Sequence, residues 1–168
     1  MAIESATAYP PDPCYARLVK NDEATMESLT VPGRLDSLER IGKYVMATAA
    51  EAGLEKAAAY RLRLAIDEIV TNVILYGYDS GRREGDVELR ATLDDESLTI
   101  CVEDSAIAFD PRQKAPPSDL DAALEDRQMG GLGVFIAIEG VDRFDYEWVN
   151  NCNRNIFTMH RRPVAAPK

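Results

Sequence analysis

Two long segments of the chain carry apolar residues at the spacing of amphipathic helices. In the segment Leu35–Ala52 apolar positions recur every three or four residues, and Gly53 follows as a typical helix terminator. In the segment Glu55–Tyr76 a second apolar stripe runs up to Gly77. The pattern therefore predicts two helices, each with one face directed at a core.

Four shorter segments alternate between apolar and polar residues, as strands with one buried face do. The first pair comprises residues 87–93 and 98–104, which a short acidic turn separates. The second pair comprises residues 144–148 and 155–161, with an Asn-rich turn at 150–153 between them. The spacing predicts two β-hairpins.

The predicted elements define a fold class. Weaker alternation at residues 15–20 and 24–31 suggests two further strands near the beginning of the chain. Strands with a single dry face need one covering layer, which the two amphipathic helices supply. We therefore expect an α/β (α+β) fold: a two-layer sandwich whose mostly antiparallel sheet is covered on one face by helices. A doubly wound parallel sheet would require strands that are apolar on both faces.

The 168 residues, 46% of them hydrophobic, suit one domain with one core. The proline-bearing segments at both ends of the sequence are unsuited to regular hydrogen-bonded elements. We expect a single folded domain over residues 15–161, with flexible tails at 1–14 and 162–168.

Charge and cysteine usage narrow the environment and the partners. Nineteen basic residues stand against 29 acidic ones, and the net charge of -10 disfavours direct binding to nucleic acid or to an anionic membrane surface. Three widely separated cysteines indicate neither a disulfide framework nor a zinc site. No leader or membrane-spanning run is recognisable, so we expect a cytoplasmic protein.

The second predicted helix carries one pair of side chains suited to chemistry. Glu68 and Asn72 are four residues apart and so project from the same side of the helix. A carboxylate beside a carboxamide can polarise a nucleophile and hold a divalent ion. The same pair also fits an ordinary solvated helix face.

A carboxylate ends the apolar row of the strand 98–104. The residues that precede Asp104 on its face are apolar and should meet the helices. Asp104 is therefore either turned to water at the strand end or a buried acceptor for a ligand donor such as the amino group of adenine.

A glycine cluster and the polar segment before it form the third candidate feature. Gly130, Gly131 and Gly133 precede a short apolar run, so a turn opens a helix whose free amides could bind phosphate, or the glycines serve only the turn. The polar, proline-bearing residues 110–129 are long enough for a functional lid.

The order of these features resembles one family. The segment RLRLAIDEIVTNVILYGY is similar to the N-box, VEDSAIAFDP to the first glycine box, and QMGGLGVFIAIEGVDRFDY to the second glycine box of the bacterial anti-sigma-factor serine/threonine kinases. These kinases belong to the histidine-kinase-like ATPase superfamily with the Bergerat fold. The resemblance spans about residues 30 to 161.

The resemblance implies a role for each matching residue. Glu68 would act as general base or orient the attacking hydroxyl, and Asn72 would coordinate Mg²⁺. Asp104 would hold the adenine amino group of ATP, with Ala106 beside it. The residues that would approach the phosphates are Arg127 on the lid and Gly130, Gly131 and Gly133.

The resemblance also implies an activity and partners. The protein would transfer the γ-phosphoryl group of ATP to a serine of a small antagonist protein and would sequester a sigma factor, commonly as a homodimer. Two residues depart from the family pattern: Ala106 replaces the glycine of the first box, and Tyr76 replaces a histidine. The Ala106 methyl could restrict the backbone beside the base. The alternative is a non-catalytic partner-switching module with weak or no ATP binding.

Overall fold

The computed structural model describes residues 24–78, 83–113 and 132–161. The helices are α1 (Leu38–Glu51), α2 (Lys56–Asn72) and α3 (Leu132–Glu139); single 3₁₀ turns occur at Leu35–Ser37 and Pro111–Gln113. The strands are β1 (Ala24–Thr25), β2 (Leu29–Pro32), β3 (Asp86–Leu93), β4 (Ser97–Asp104), β5 (Arg143–Val149) and β6 (Cys152–His160). The expected flexible tails and the first part of the expected domain lie outside these ranges.

All six strands form one antiparallel sheet in the order β1-β3-β4-β6-β5, and β2 also pairs with β3. The helices contribute buried residues to a common core with the sheet, which confirms the expected two-layer α/β fold. The fully buried residues of this core include Ile41, Val45 and Ala49 of α1, Leu62, Ile66 and Val70 of α2, Leu98, Ile100 and Val102 of β4, and Phe157 of β6.

The sheet face that points away from the helices is more buried than the apolar–polar alternation of the strands predicted. Cys101 and Ile156 are buried on that face, and so is Arg154, whose Nε donates a hydrogen bond of 2.6 Å to Glu103 Oε2. Burial raises the pKa of the Cys101 thiol to about 12, so this thiol is protonated at neutral pH. The polar residues predicted to face water on β4 and β6 are therefore partly enclosed.

The second helix does not continue as an α-helix to its predicted end. After Asn72 the chain forms a π turn over Val73–Gly77, and the Tyr78 amide donates to the Val73 carbonyl at 2.8 Å. In a π turn the hydrogen bond joins residues five positions apart instead of four, and such turns are frequent at functional sites. Here it changes the direction of the side chains that follow Asn72.

The last hairpin begins earlier than predicted. Asn150 and Asn151 both have positive φ, of 53° and 61°, a conformation that asparagine tolerates better than most residues. A two-residue turn at this point pairs Cys152 with Val149, so the closing strand starts at Cys152 rather than at Asn155. This register places Asn153 and Asn155 within the sheet, opposite Asp104 and Val102.

Candidate functional site

A cavity of about 480 Å³ lies between the end of α2, the π turn, the loop after β4 and strand β6. Its lining is mostly apolar with a few amide side chains, as is usual for small-molecule sites. The lining residues that carry side-chain amides are Asn72, Asn153 and Asn155, and those that supply apolar or aromatic surface include Val73, Tyr76, Ala106 and Phe109.

Asp104 lies directly behind this lining and is only 2% exposed. Its Oδ1 accepts hydrogen bonds from Asn153 Nδ2 at 2.7 Å and from the Ala106 amide at 3.0 Å. Its Oδ2 is buried and has no hydrogen-bond partner among the described residues. Burial raises the pKa of Asp104 to about 6, although the two donors act in the opposite direction.

A second buried acceptor lies on the neighbouring strand. Asn155 lines the cavity, and its Oδ1 has no partner in the described part of the chain. Buried polar atoms are nearly always paired in folded proteins. Two unpaired acceptors beside one cavity therefore fit a ligand that brings hydrogen-bond donors, such as the exocyclic amino group of adenine.

Asn72 reaches the cavity from the last residue of α2. Its Nδ2 donates to the backbone carbonyl of Glu68 at 2.8 Å, so the amide nitrogen is engaged within the helix. The amide oxygen remains as a neutral ligand of the hard type that Mg²⁺ prefers. No cluster of three or more histidine, cysteine or acidic side chains in the described ranges could hold a metal by itself.

The carboxylate of Glu68 lies one helical turn before Asn72 and packs directly against Gly133 of α3. A Cβ atom built at Gly133 would collide with Glu68 Oε2 and would lie 3.0 Å from its Cδ. Gly133 is the second residue of α3, not part of a turn, and its φ is not positive. The glycine therefore makes room for the carboxylate.

Ala106 lines the cavity and is 3% exposed. Its φ is not positive, since Asn150 and Asn151 are the only non-glycine residues with positive φ in the described ranges. A Cβ atom added to Gly77 would approach the Ala106 Cβ to 2.7 Å. The Ala106 methyl thus occupies the space left by the missing side chain of Gly77. The sequence had suggested that this methyl restricts the backbone, but residue 106 adopts an ordinary negative φ.

The structure brings Asn72 and Ala106 to one cavity, with Asp104 behind its wall, bonded to Ala106 and Asn153. Glu68, one turn before Asn72 on α2, contacts Gly133 of α3. The other three predicted phosphate contacts, Arg127, Gly130 and Gly131, lie outside the described residues, as does most of the predicted lid.

The sequence patterns did not identify Asn153, Asn155 and Tyr146 as site residues. Asn153 was predicted to lie in a turn, and Asn155 and Tyr146 were predicted only as strand residues. Asn153 and Asn155 share a strand face with the buried Phe157, and this extension of the alternating row was the signal that could have found them.

Comparison with known proteins gives three findings. The sequence profile of the histidine kinase-like ATPase domain matches residues 31–159. The serine-protein kinase RsbW of Listeria monocytogenes is 28% identical over 91 residues, and the anti-sigma F factor of Clostridium acetobutylicum is 30% identical over 86 residues. These alignments cover 52% and 51% of this chain, and 57% and 58% of the two relatives, so the chain matches less than two thirds of each relative.

A crystal structure of the RsbU and RsbW domains of a Mycobacterium tuberculosis protein shares the fold, with a TM-score of 0.54 and 16% identity. That similarity covers 82% of this chain and 34% of the solved chain. In the described ranges no helix is both long and apolar enough to cross a membrane.

Proposed function

The chain belongs to the histidine kinase-like ATPase domain family, and from that premise we propose that it is a serine/threonine protein kinase and anti-sigma factor. It transfers the γ-phosphoryl group of ATP to a serine of a small antagonist protein and sequesters a sigma factor. The names of the relatives, a serine-protein kinase and an anti-sigma F factor, support this proposal. The observation that carries it is the cavity lined by Asn72 and Asn153. Behind its wall lies the Asp104 acceptor that has no partner among the described residues, and Glu68 lies one helical turn before Asn72.

The base of ATP occupies the end of the cavity lined by Ala106 and Asn153, behind which Asp104 lies. The adenine amino group donates to Asp104 Oδ2, a buried oxygen with no partner among the described residues. The apolar side chains of Val73 and Phe109 and the Ala106 methyl supply the surface against which a flat ring packs. The hydrogen bond favours a base with an exocyclic amine, and the apolar surface favours a flat ring.

The phosphates extend toward Asn72 and the beginning of α3. The oxygen of Asn72 is the described group suited to hold Mg²⁺, and the bound ion would neutralise charge on the phosphates. Gly133 near the amino end of α3, together with Arg127, Gly130 and Gly131, completes the proposed phosphate contacts. Such sites act mainly by positioning and by electrostatic stabilisation.

Glu68 acts on the acceptor serine. Its carboxylate orients the hydroxyl and accepts the hydroxyl proton as the serine oxygen bonds to the γ-phosphorus, while the bond to the β-phosphate oxygen breaks and ADP leaves. Gly133 keeps space beside this carboxylate.

A matched pair of glutamate variants tests the assignment. Glu68→Gln keeps the size of the side chain and removes the proton acceptor, so Mg-ATP binding measured by calorimetry should be unchanged. Transfer of labelled phosphate to a serine-bearing antagonist protein should fall by about 100-fold or more. The control Glu51→Gln, at the exposed end of α1, should match wild type. Wild-type protein that binds no Mg-ATP would refute the kinase function.

A second candidate is a non-catalytic module that captures partners through the same fold. The presence of Ala106 in place of the family's glycine favours this module, because a methyl group beside the base could prevent nucleotide binding. The space left by Gly77 weakens that argument, since the methyl is accommodated without a left-handed backbone. Binding of Mg-ATP together with undetectable phosphoryl transfer in wild type would favour the module.

A further inference from the structure

Asn153 connects three parts of the cavity wall through its side-chain amide. Its Oδ1 accepts hydrogen bonds from the Tyr146 hydroxyl at 2.8 Å and from the Phe109 backbone amide at 3.1 Å. Its Nδ2 donates to Asp104 Oδ1 at 2.7 Å and to the Ile107 carbonyl at 3.3 Å. Strand β4, the loop after it and the hairpin β5–β6 therefore meet at one amide.

The two donors on Oδ1 determine which way the amide points. A flipped Asn153 would place its NH₂ group against the Phe109 N–H and the Tyr146 hydroxyl, and its oxygen against the Asp104 carboxylate. The flip would lose the bond from the Phe109 amide and set two acceptors against each other in a buried site, which is costly. The amide nitrogen is accordingly held toward Asp104.

Tyr146 is itself held in place. The guanidinium of Arg112 lies 5.8 Å from the centre of the Tyr146 ring, and Arg112 Nη2 donates to the Tyr146 carbonyl at 3.3 Å. Asp110 forms a 2.9 Å ion pair with the same guanidinium. The guanidinium of Arg112 therefore lies over the ring whose hydroxyl orients Asn153.

We propose that Asn153, oriented by Tyr146, is a positioning residue that makes the cavity select 6-amino purines over 6-oxo purines. The proposal rests on the proposed function in taking a purine nucleoside triphosphate as the ligand and in placing its base at Asp104. With Nδ2 donating to Asp104 Oδ1, the carboxylate stays an acceptor, and Oδ2 can pair with an amino group. A 6-oxo purine would place its own acceptor against Oδ2 and leave both buried oxygens unpaired.

Loss of the Tyr146 hydroxyl changes this preference by a definite route. Without that donor only the Phe109 amide still holds Asn153 Oδ1, so turning the amide oxygen toward Asp104 becomes less costly, and that arrangement favours the protonated carboxyl. A protonated Asp104 can donate to a 6-oxo group, so a 6-oxo purine then finds a partner. The other titratable groups around Asp104 are Glu103 on its own strand and Tyr78 below the loop; neither bonds to Asn153.

Calorimetric affinities for Mg-ATP and Mg-ITP, which differ at the 6-position of the base, test the proposal. Wild type should bind ATP at least 50-fold more tightly than ITP, about the discrimination expected from one unpaired buried polar contact. Tyr146→Phe should lower this ratio about tenfold, chiefly by improving ITP binding. Tyr44→Phe deletes a hydroxyl that donates to the Glu27 carbonyl outside the cavity, and its ratio should equal that of wild type.

Three outcomes would overturn the proposal. A wild type that binds ATP but keeps its ratio in Tyr146→Phe would refute the role of Asn153 and leave the kinase proposal standing. If the ratio of ATP to ITP affinity fell equally in Tyr44→Phe, the effect would come from a general loosening of the fold and not from the positioning of Asn153. A wild type that binds neither nucleotide would refute the proposed function as well. Asn153→Ala, with urea unfolding recorded beside binding, should lower the ratio at least as far as Tyr146→Phe.

Discussion

The contact between Gly77 and Ala106 predicts that exchanging these two residues preserves stability where either single change does not. Gly77 ends the π turn, and Ala106 lies in the loop after β4, so the two approach each other across the cavity wall. A Cβ atom at Gly77 would lie 2.7 Å from the Ala106 Cβ. Only one of the two positions can carry a methyl group.

The magnitudes follow from packing. Carbon atoms pack best at about 3.5–4.0 Å, so Gly77→Ala forces a shift of about 1 Å and should cost about 1–3 kcal/mol. Ala106→Gly removes a buried methyl worth about 1 kcal/mol and increases the entropy of the unfolded chain by about 0.4–1 kcal/mol. The double variant removes the clash and keeps one methyl, so its free energy of unfolding should lie within about 1 kcal/mol of wild type. The two substitutions together should then cost about 2 kcal/mol less than the sum of the single changes.

Urea unfolding of the four proteins, followed by circular dichroism, measures this coupling. Gly77→Ala combined with Ala108→Gly is the matched control, because Ala108 lies two residues further along the same loop and does not contact Gly77. Only the exchange with Ala106 should restore the midpoint. A double variant as unstable as the sum of its single changes would refute the packing argument.

Two further predictions concern the carboxylates of the site. Gly133→Ala should displace Glu68 and lower the turnover number about tenfold or more while the unfolding midpoint stays the same or rises, because the clash falls on the end of a flexible side chain; an unchanged turnover number would contradict the proposed role of that contact. Burial raises the pKa of Asp104 to about 6, so the folded state holds the proton more tightly than the unfolded state does. The contribution of this carboxyl to stability is therefore full below about pH 4 and is lost as the pH rises through 6. The stability gain of Asp104→Asn should therefore be about 2 kcal/mol larger at pH 7.5 than at pH 4.5 in urea titrations; a gain independent of pH would mean that Asp104 is not buried as an acid.

Local periodicity was sufficient for much of the fold and part of the site. The helical spacing of Leu35–Ala52 predicted one helix, where the structure has a 3₁₀ turn at Leu35–Ser37 followed by α1. The alternation of residues 98–104 placed Asp104 at the end of an apolar row, and this residue is buried. These features depend on neighbours within a few positions along the chain, and a sequence pattern records such neighbours directly. Glu68 and Asn72 were found in the same way, as a pair one helical turn apart.

The contacts that define the cavity depend instead on how distant segments meet. Asn153 bonds to Asp104 across 49 positions of the chain, and its place in the sheet depends on a turn that starts the closing strand at Cys152. The fit of Ala106 against Gly77 is a further contact of this kind.

The amino-acid sequence by itself determined the elements, their layers and the acidic side chains available for chemistry. Only the tertiary structure decided which of those side chains share a cavity and which buried oxygens lack a partner. The physical reason is that hydrophobic spacing reports the side of an element that is buried, whereas strand register and close packing decide which atoms come within hydrogen-bond distance.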